Sequence, residues 1–86
     1  MSGDLGTFSI RIVDEDGNGV NGARIDLRWY TALLEPPVQD YEFTDSDGWA
    51  TFDIQKIALE KVYVNDELVA EDLEPDDGDT FSLTAP

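Results

Sequence analysis

A chain of 86 residues has room for one domain with one small core, and burial covers only roughly two-thirds of the surface its unfolded form exposes. Its 20 Asp and Glu against 5 Lys and Arg give a net charge of −15, which makes nucleic acid and anionic membrane surfaces poor partners. With neither Cys nor His, it lacks disulfides, thiolate metal sites and the usual nucleophile–base pairs, so no autonomous enzyme is expected.

Alternation of period two, broken by Gly, Asn and Asp clusters, predicts half-buried strands along the chain, and no helix-length apolar stripe appears. After a flexible start over 1–6, a first strand from Thr7 to Asp14 places Phe8, Ile10 and Ile12 on one face. The run Asp14-Glu15-Asp16-Gly17-Asn18-Gly19 is rich in residues that tolerate positive φ and closes a tight connection. A second strand turns Ala23, Ile25, Leu27 and Trp29 inward and Arg24, Asp26, Arg28 and Tyr30 outward. The segment from Thr31 to Asp40 is the longest loop, because Pro36-Pro37 cannot continue a hydrogen-bonded ladder.

A third strand over 41–44 sets Tyr41 and Phe43 together, and Asp45-Ser46-Asp47-Gly48 turns the chain back. In a fourth strand from Trp49 to Ile54, an inward Trp49 would bury Thr51 and Asp53 with it. Ala50, Phe52 and Ile54 therefore form the core face, and Trp49 points outward. A connection over 55–60 with room for one helical turn leads to a fifth strand over 61–64. After Asn65-Asp66-Glu67 a sixth covers 68–71, with the face of Val69 set by whether the turn has two or three residues. The polar break at 74–79 precedes a closing strand with Phe81 and Leu83. Seven short strands with these turn signals predict one antiparallel β-sandwich over 7–84, ending at 85–86. No apolar run of membrane-span length occurs, and Met1-Ser2-Gly3-Asp4 lacks the start of a signal peptide, so a soluble domain is expected.

Two stretches carry a family resemblance. Ile12 to Leu27, with the acidic Gly-bearing turn followed by Val20-Asn21-Gly22-Ala23-Arg24-Ile25-Asp26-Leu27, resembles the opening of a carboxypeptidase regulatory-like domain. Thr44-Asp45-Ser46-Asp47-Gly48 followed by Phe52 resembles that family's second turn element. The resemblance covers residues 7–54 and implies the immunoglobulin-like sandwich shared by transthyretin-like and Cna-B-like domains. It also implies a role as a stalk, spacer, adhesion module or accessory domain rather than a reaction. Some Cna-B-like relatives form a Lys–Asn isopeptide crosslink from a lysine in the first strand. Here Arg11 is the only basic residue of that strand, and no such crosslink is expected.

Two kinds of site are candidates. If the strands alternate up and down, the turns at 14–19, 45–48 and 65–67 meet at one pole. Asp14, Asp16, Asp45 and Asp47 would then gather as oxygen ligands for a hard cation such as calcium. The competing reading is that turn geometry requires these residues on a surface that is acidic everywhere. An EF-hand is excluded, since the twelfth position counted from Asp14 is Ile25. The second candidate is a partner-binding set of Trp49, Tyr30, Leu33 and Leu34, residues of the kind that anchor interfaces when exposed. Folded back, the two leucines would cap the open end of the sandwich instead. The expected function is a non-catalytic structural or adhesion module docking on a larger assembly, such as a cell-surface complex or virion exterior, in a salt-rich, halophilic setting. A calcium-dependent binding module is the alternative.

Overall fold

A computed structural model describes residues 6–29, 38–54 and 59–86 of the chain. Seven strands are present: β1 (Thr7–Val13), β2 (Arg24–Trp29), β3 (Val38–Phe43), β4 (Trp49–Asp53), β5 (Leu59–Val64), β6 (Glu67–Leu73) and β7 (Thr80–Thr84). They form a three-stranded sheet in the order β4-β1-β7 and a four-stranded sheet in the order β3-β2-β5-β6, packed as a sandwich. β3 and β5 begin earlier than the sequence pattern placed them, because Val38 pairs with Trp29 and Leu59 with both Trp29 and Leu73. The connection expected over 55–60 thus loses its last two residues to β5, and the rest of it lies outside the described residues.

The core follows the predicted alternation. Phe8, Ile10 and Ile12 of β1, Ile25, Leu27 and Trp29 of β2, Ala50 and Phe52 of β4, and Val62 and Val64 of β5 are buried, together with Ala23. Each large side chain among them contributes about 1.5–3 kcal/mol by leaving water. The Phe8 ring is central. It stacks on Phe52 at 5.7 Å and meets Trp29 and Phe81 edge-on at 5.8 and 5.9 Å, geometries that suit the aromatic quadrupole.

One expectation needs correction, since the sandwich is not antiparallel throughout. β7 runs parallel to β1, with Ser9 opposite Thr80 and Val13 opposite Thr84. The cause is the link over 74–79, which crosses from the four-stranded sheet at the end where β1 begins. There Gly78 N–H donates to Thr7 O at 2.8 Å and Ser9 N–H to Asp79 O at 3.0 Å, so β7 starts beside the start of β1 and must run with it. The open question of the β5–β6 turn is answered by Asn65 and Asp66. Both take positive φ, 50° and 71°, as a two-residue hairpin turn of the type matched to strand twist requires. A bulge then pairs Tyr63 with Leu68 and Val62 with Ala70, leaving Val69 as the extra residue, and Val69 and Ala70 both lean on the core.

The turns do sort to the two ends as the alternation of strands implied. At one end the connection after β1 and the turn before β4 interlock: Val20 N–H donates to Ile12 O at 2.8 Å and Ile12 N–H to Gly48 O at 2.8 Å. This contact requires glycine, because a Cβ on Gly19 would overlap the Asp47 carbonyl and one on Gly48 the Ile12 carbonyl. Asn65 joins the same end through its N–H to Arg24 O at 2.9 Å. The far end holds Asp76, Asp77 and Asp79, where Asp77 Oδ1 accepts the Thr7 N–H at 3.1 Å.

Candidate interaction surface

At the acidic end, the four carboxylates singled out from the sequence do come to one pole, where two of them hold turns. Asp14 Oδ1 accepts the N–H groups of Asp16 and Asn18, both at 2.9 Å. Asp45 Oδ1 accepts those of Asp47 at 2.9 Å and Trp49 at 3.0 Å. The Asp45 carboxyl is held below its ordinary value of 3.8, chiefly by the Trp49 N–H, then by Asp47 and with help from Gly48, against a small opposing effect of desolvation. Among the described residues, no three or more acidic side chains converge as metal ligands would.

Thr44 anchors the adjoining corner. It is the one buried polar side chain among the described residues, and its hydroxyl accepts the Ala23 N–H at 2.8 Å while donating to Val20 O. The hydroxyl thereby ties the end of β3 to the start of β2. This fixes the β2–β3 register that sets Arg24 opposite Phe43, Asp26 opposite Tyr41 and Arg28 opposite Gln39.

That register produces a surface the sequence reading did not assemble. Residues directly opposite in a ladder share a face, and Arg24, Asp26 and Arg28 alternate with the buried Ile25, Leu27 and Trp29. Phe43, Tyr41 and Gln39 therefore stand on the outside of the sandwich, while Asp40 and Glu42 take the positions toward the inner side. Tyr41 is 54% exposed and Phe43 58%. They pair as expected, with ring centroids 6.1 Å apart and planes at 87°, but outside the core. β5 extends the face, with Tyr63 opposite Asp26 and Lys61 opposite Arg28, and β6 adds Leu68, 47% exposed.

Charge and aromatic rings alternate across this face in an ordered way. The Arg24 guanidinium lies over Tyr41 at 4.8 Å, and Arg28 lies over Tyr63 at 5.0 Å. Arg24 Nη2 also meets Asp26 Oδ1 at 3.2 Å. A groove of about 470 Å³ runs between these side chains, with Arg24, Arg28, Tyr41 and Tyr63 on its walls together with Asp26, Asp40 and Asp66. Three of the chain's five basic residues, Arg24, Arg28 and Lys61, project here. The fourth, Arg11, lies on the outer face of the other sheet and Lys56 is outside the described residues.

Of the partner-binding residues expected from the sequence, Trp49 is placed outward, 36% exposed, beneath Arg11 at 5.9 Å. Arg11 Nε also donates to Asp47 O at 3.0 Å, so Trp49 adjoins the acidic pole. Tyr30, Leu33 and Leu34 lie outside the described residues. The signal that could have found the outer face is the strand Gln39-Asp40-Tyr41-Glu42-Phe43. Its acids must point somewhere, and inward-pointing charge on an edge strand is a known defence against sheet-to-sheet aggregation.

The described residues thus form an all-β, two-sheet sandwich with one outer face that gathers exposed aromatic rings and the basic Arg24, Arg28 and Lys61 beside Asp26 and Glu71. No helix among them is long and apolar enough to cross a membrane. The chain matches no protein-family model, and no curated protein matches it.

Proposed function

We propose that the chain is a non-catalytic protein-interaction module that docks on a larger assembly through the outer face of its four-stranded sheet. The observation that carries this reading is the exposure of Tyr41 and Phe43 on the outer face of β3, while the register beside the buried Leu27 and Ile25 falls to Asp40, half-buried, and Glu42, exposed at the sheet edge. Exposed aromatics beside arginines are the side chains that dominate interface energetics, and holding them in water has no benefit for the isolated fold. The partner's contact surface is apolar and acidic, complementing Arg24, Arg28 and Lys61. The net charge of −15 favours a salt-rich setting, where screening relieves self-repulsion and leaves the aromatic contacts in place. A carboxypeptidase regulatory-like or Cna-B-like kinship, which the two turn motifs resemble, accords with such an accessory or adhesive role.

Peptides displayed on phage and selected against the protein in concentrated potassium chloride test the proposal. The expected outcome is enrichment of sequences combining aromatic or aliphatic residues with Asp and Glu. Their affinity should fall at least about tenfold in a Tyr41→Ser plus Phe43→Ser variant whose melting temperature is unchanged. Selected peptides that bind this variant as well as the parent would overturn it.

A further inference from the structure

The two sheets differ by one strand. β3 and β4 lie together at one side of the sandwich, and from that shared side the sheets run β4-β1-β7 and β3-β2-β5-β6. The longer sheet therefore reaches past the shorter one, and among the described residues no strand faces β6 beyond β7. Burial follows this offset. Ile10, Ile12 and Leu27 near the middle are fully buried, whereas Val69, Ala70 and Leu73 of β6 and Phe81 and Leu83 of β7 touch the core yet stay half-exposed.

The edge beside this gap is open in its hydrogen bonding. Ser9 N–H reaches Asp79 O at one end of the β1–β7 ladder, and Ala85 N–H reaches Val13 O at 2.8 Å at the other. Odd-numbered residues of β7 therefore turn their main chain to β1, and Thr80, Ser82 and Thr84 turn theirs away. Among the described residues no strand pairs with that outer edge. Edge strands are ordinarily blunted by charge, proline or a kink. β3 carries Asp40 and Glu42, and β6 carries Glu67, Glu71 and an Asp72 with φ of 55°. β7, Thr80-Phe81-Ser82-Leu83-Thr84, carries none of these devices in a chain with 20 acidic residues.

We propose that the outer edge of β7 accepts an extended strand from a protein partner, which supplies the missing fourth strand of the shorter sheet. The strand would exchange main-chain hydrogen bonds with Thr80, Ser82 and Thr84 and lay alternate apolar side chains over Val69, Leu73, Phe81 and Leu83. Its flanks are basic, because the chain beside both strands is acidic there: Asp72 lies on β6, and Asp76 and Asp79 form the turn that leads into Thr80. A second copy's β7 does not fit. Two-fold pairing of β7 with itself would drive each copy's overhanging β6 into the place of the other copy's β5. The site is separate from the aromatic face of β3 and stands or falls independently of it.

The probe is an acetylated, amidated peptide, Lys-Val-Thr-Ile-Thr-Val-Lys, titrated into the isotope-labelled protein and followed by NMR and amide hydrogen exchange. Saturable shifts confined to β7 and β6, with slowed exchange at Thr80, Ser82 and Thr84, are the expected result. N-methylation of alternate peptide amides should abolish the effect when the methylated set is the one facing β7 and spare it when it is the other. Ser82→Pro, which removes only an N–H that faces away from β1, should weaken binding about tenfold. Absence of saturable shifts at millimolar peptide, shifts centred on Tyr41 and Phe43, or indifference to both N-methylation patterns would each overturn the proposal.

Discussion

Phe8 and Phe43 are the same residue on strands of the same sandwich, and they have opposite addresses. Phe8 sits at the centre of an aromatic cluster at 1% exposure, while Phe43 stands in water at 58%. The difference lies in their neighbours along the strand. Phe8 alternates with Thr7 and Ser9, which solvent accepts, so burial of the aromatic set is unopposed. Phe43 alternates with Glu42 and Asp40 on a strand registered by Thr44 against Arg24, and the outward positions of β2 are then its ladder partners. Hydrophobicity alone does not assign a side chain to the core. Register does, and register is set at the corner.

The largest expected effect lies inside. Phe8→Ala removes the ring that touches Trp29, Phe52 and Phe81 and should cost about 3–5 kcal/mol in denaturant unfolding. Phe43→Ala, by contrast, should stay within about 0.5 kcal/mol of the parent. A comparable loss at both positions would erase the distinction and remove the case for a docking face. Next comes the corner itself. Thr44→Val keeps the shape but leaves the Ala23 N–H and Val20 C=O without their hydroxyl partner, for an expected loss of about 1–3 kcal/mol. If register rests on this corner, hydrogen exchange along β3 should rise in that variant, and unchanged exchange would place the control of register elsewhere.

The smallest effect belongs to the turn that follows. Because the Asp45 carboxyl is lowered in the folded protein, its stabilising contribution is present above the unfolded value and is lost as pH falls through the folded one. The window therefore opens below roughly pH 4. Asp45→Asn should flatten the acid limb of a melting-temperature profile there while leaving the neutral limb nearly parallel to the parent. An unaltered acid limb would mean that the turn amides do not hold the charge in solution.

Much of this architecture was legible in the chain. The alternation in β1, β2 and β4 marks both the core residues and the outward Trp49, because each strand has only one face free of charge. The pooling of acidic turns at one pole followed from strand alternation alone. Three things were not legible. The parallel pairing of β1 with β7 depends on which sheet the last strand joins, and Thr80 to Thr84 reads the same in either. The aromatic face needs the Arg24–Phe43 register: the alternation over 39–43 separates the acids from the aromatics, but only that long-range pairing says which set faces out. The proposed gap beside β7 needs a comparison of strand numbers between the sheets, which exists only once both are assembled.

The parallel run of the first and last strands also determines how the molecule bears load. β1 begins at one end of the sandwich and β7 finishes at the other. Tension applied through the two ends would pull β1 and β7 past each other lengthwise. The hydrogen bonds between them would be strained together in shear instead of parting one after another like a zip. A domain strung in series with others would then be hardest to unravel along the direction in which it is tethered.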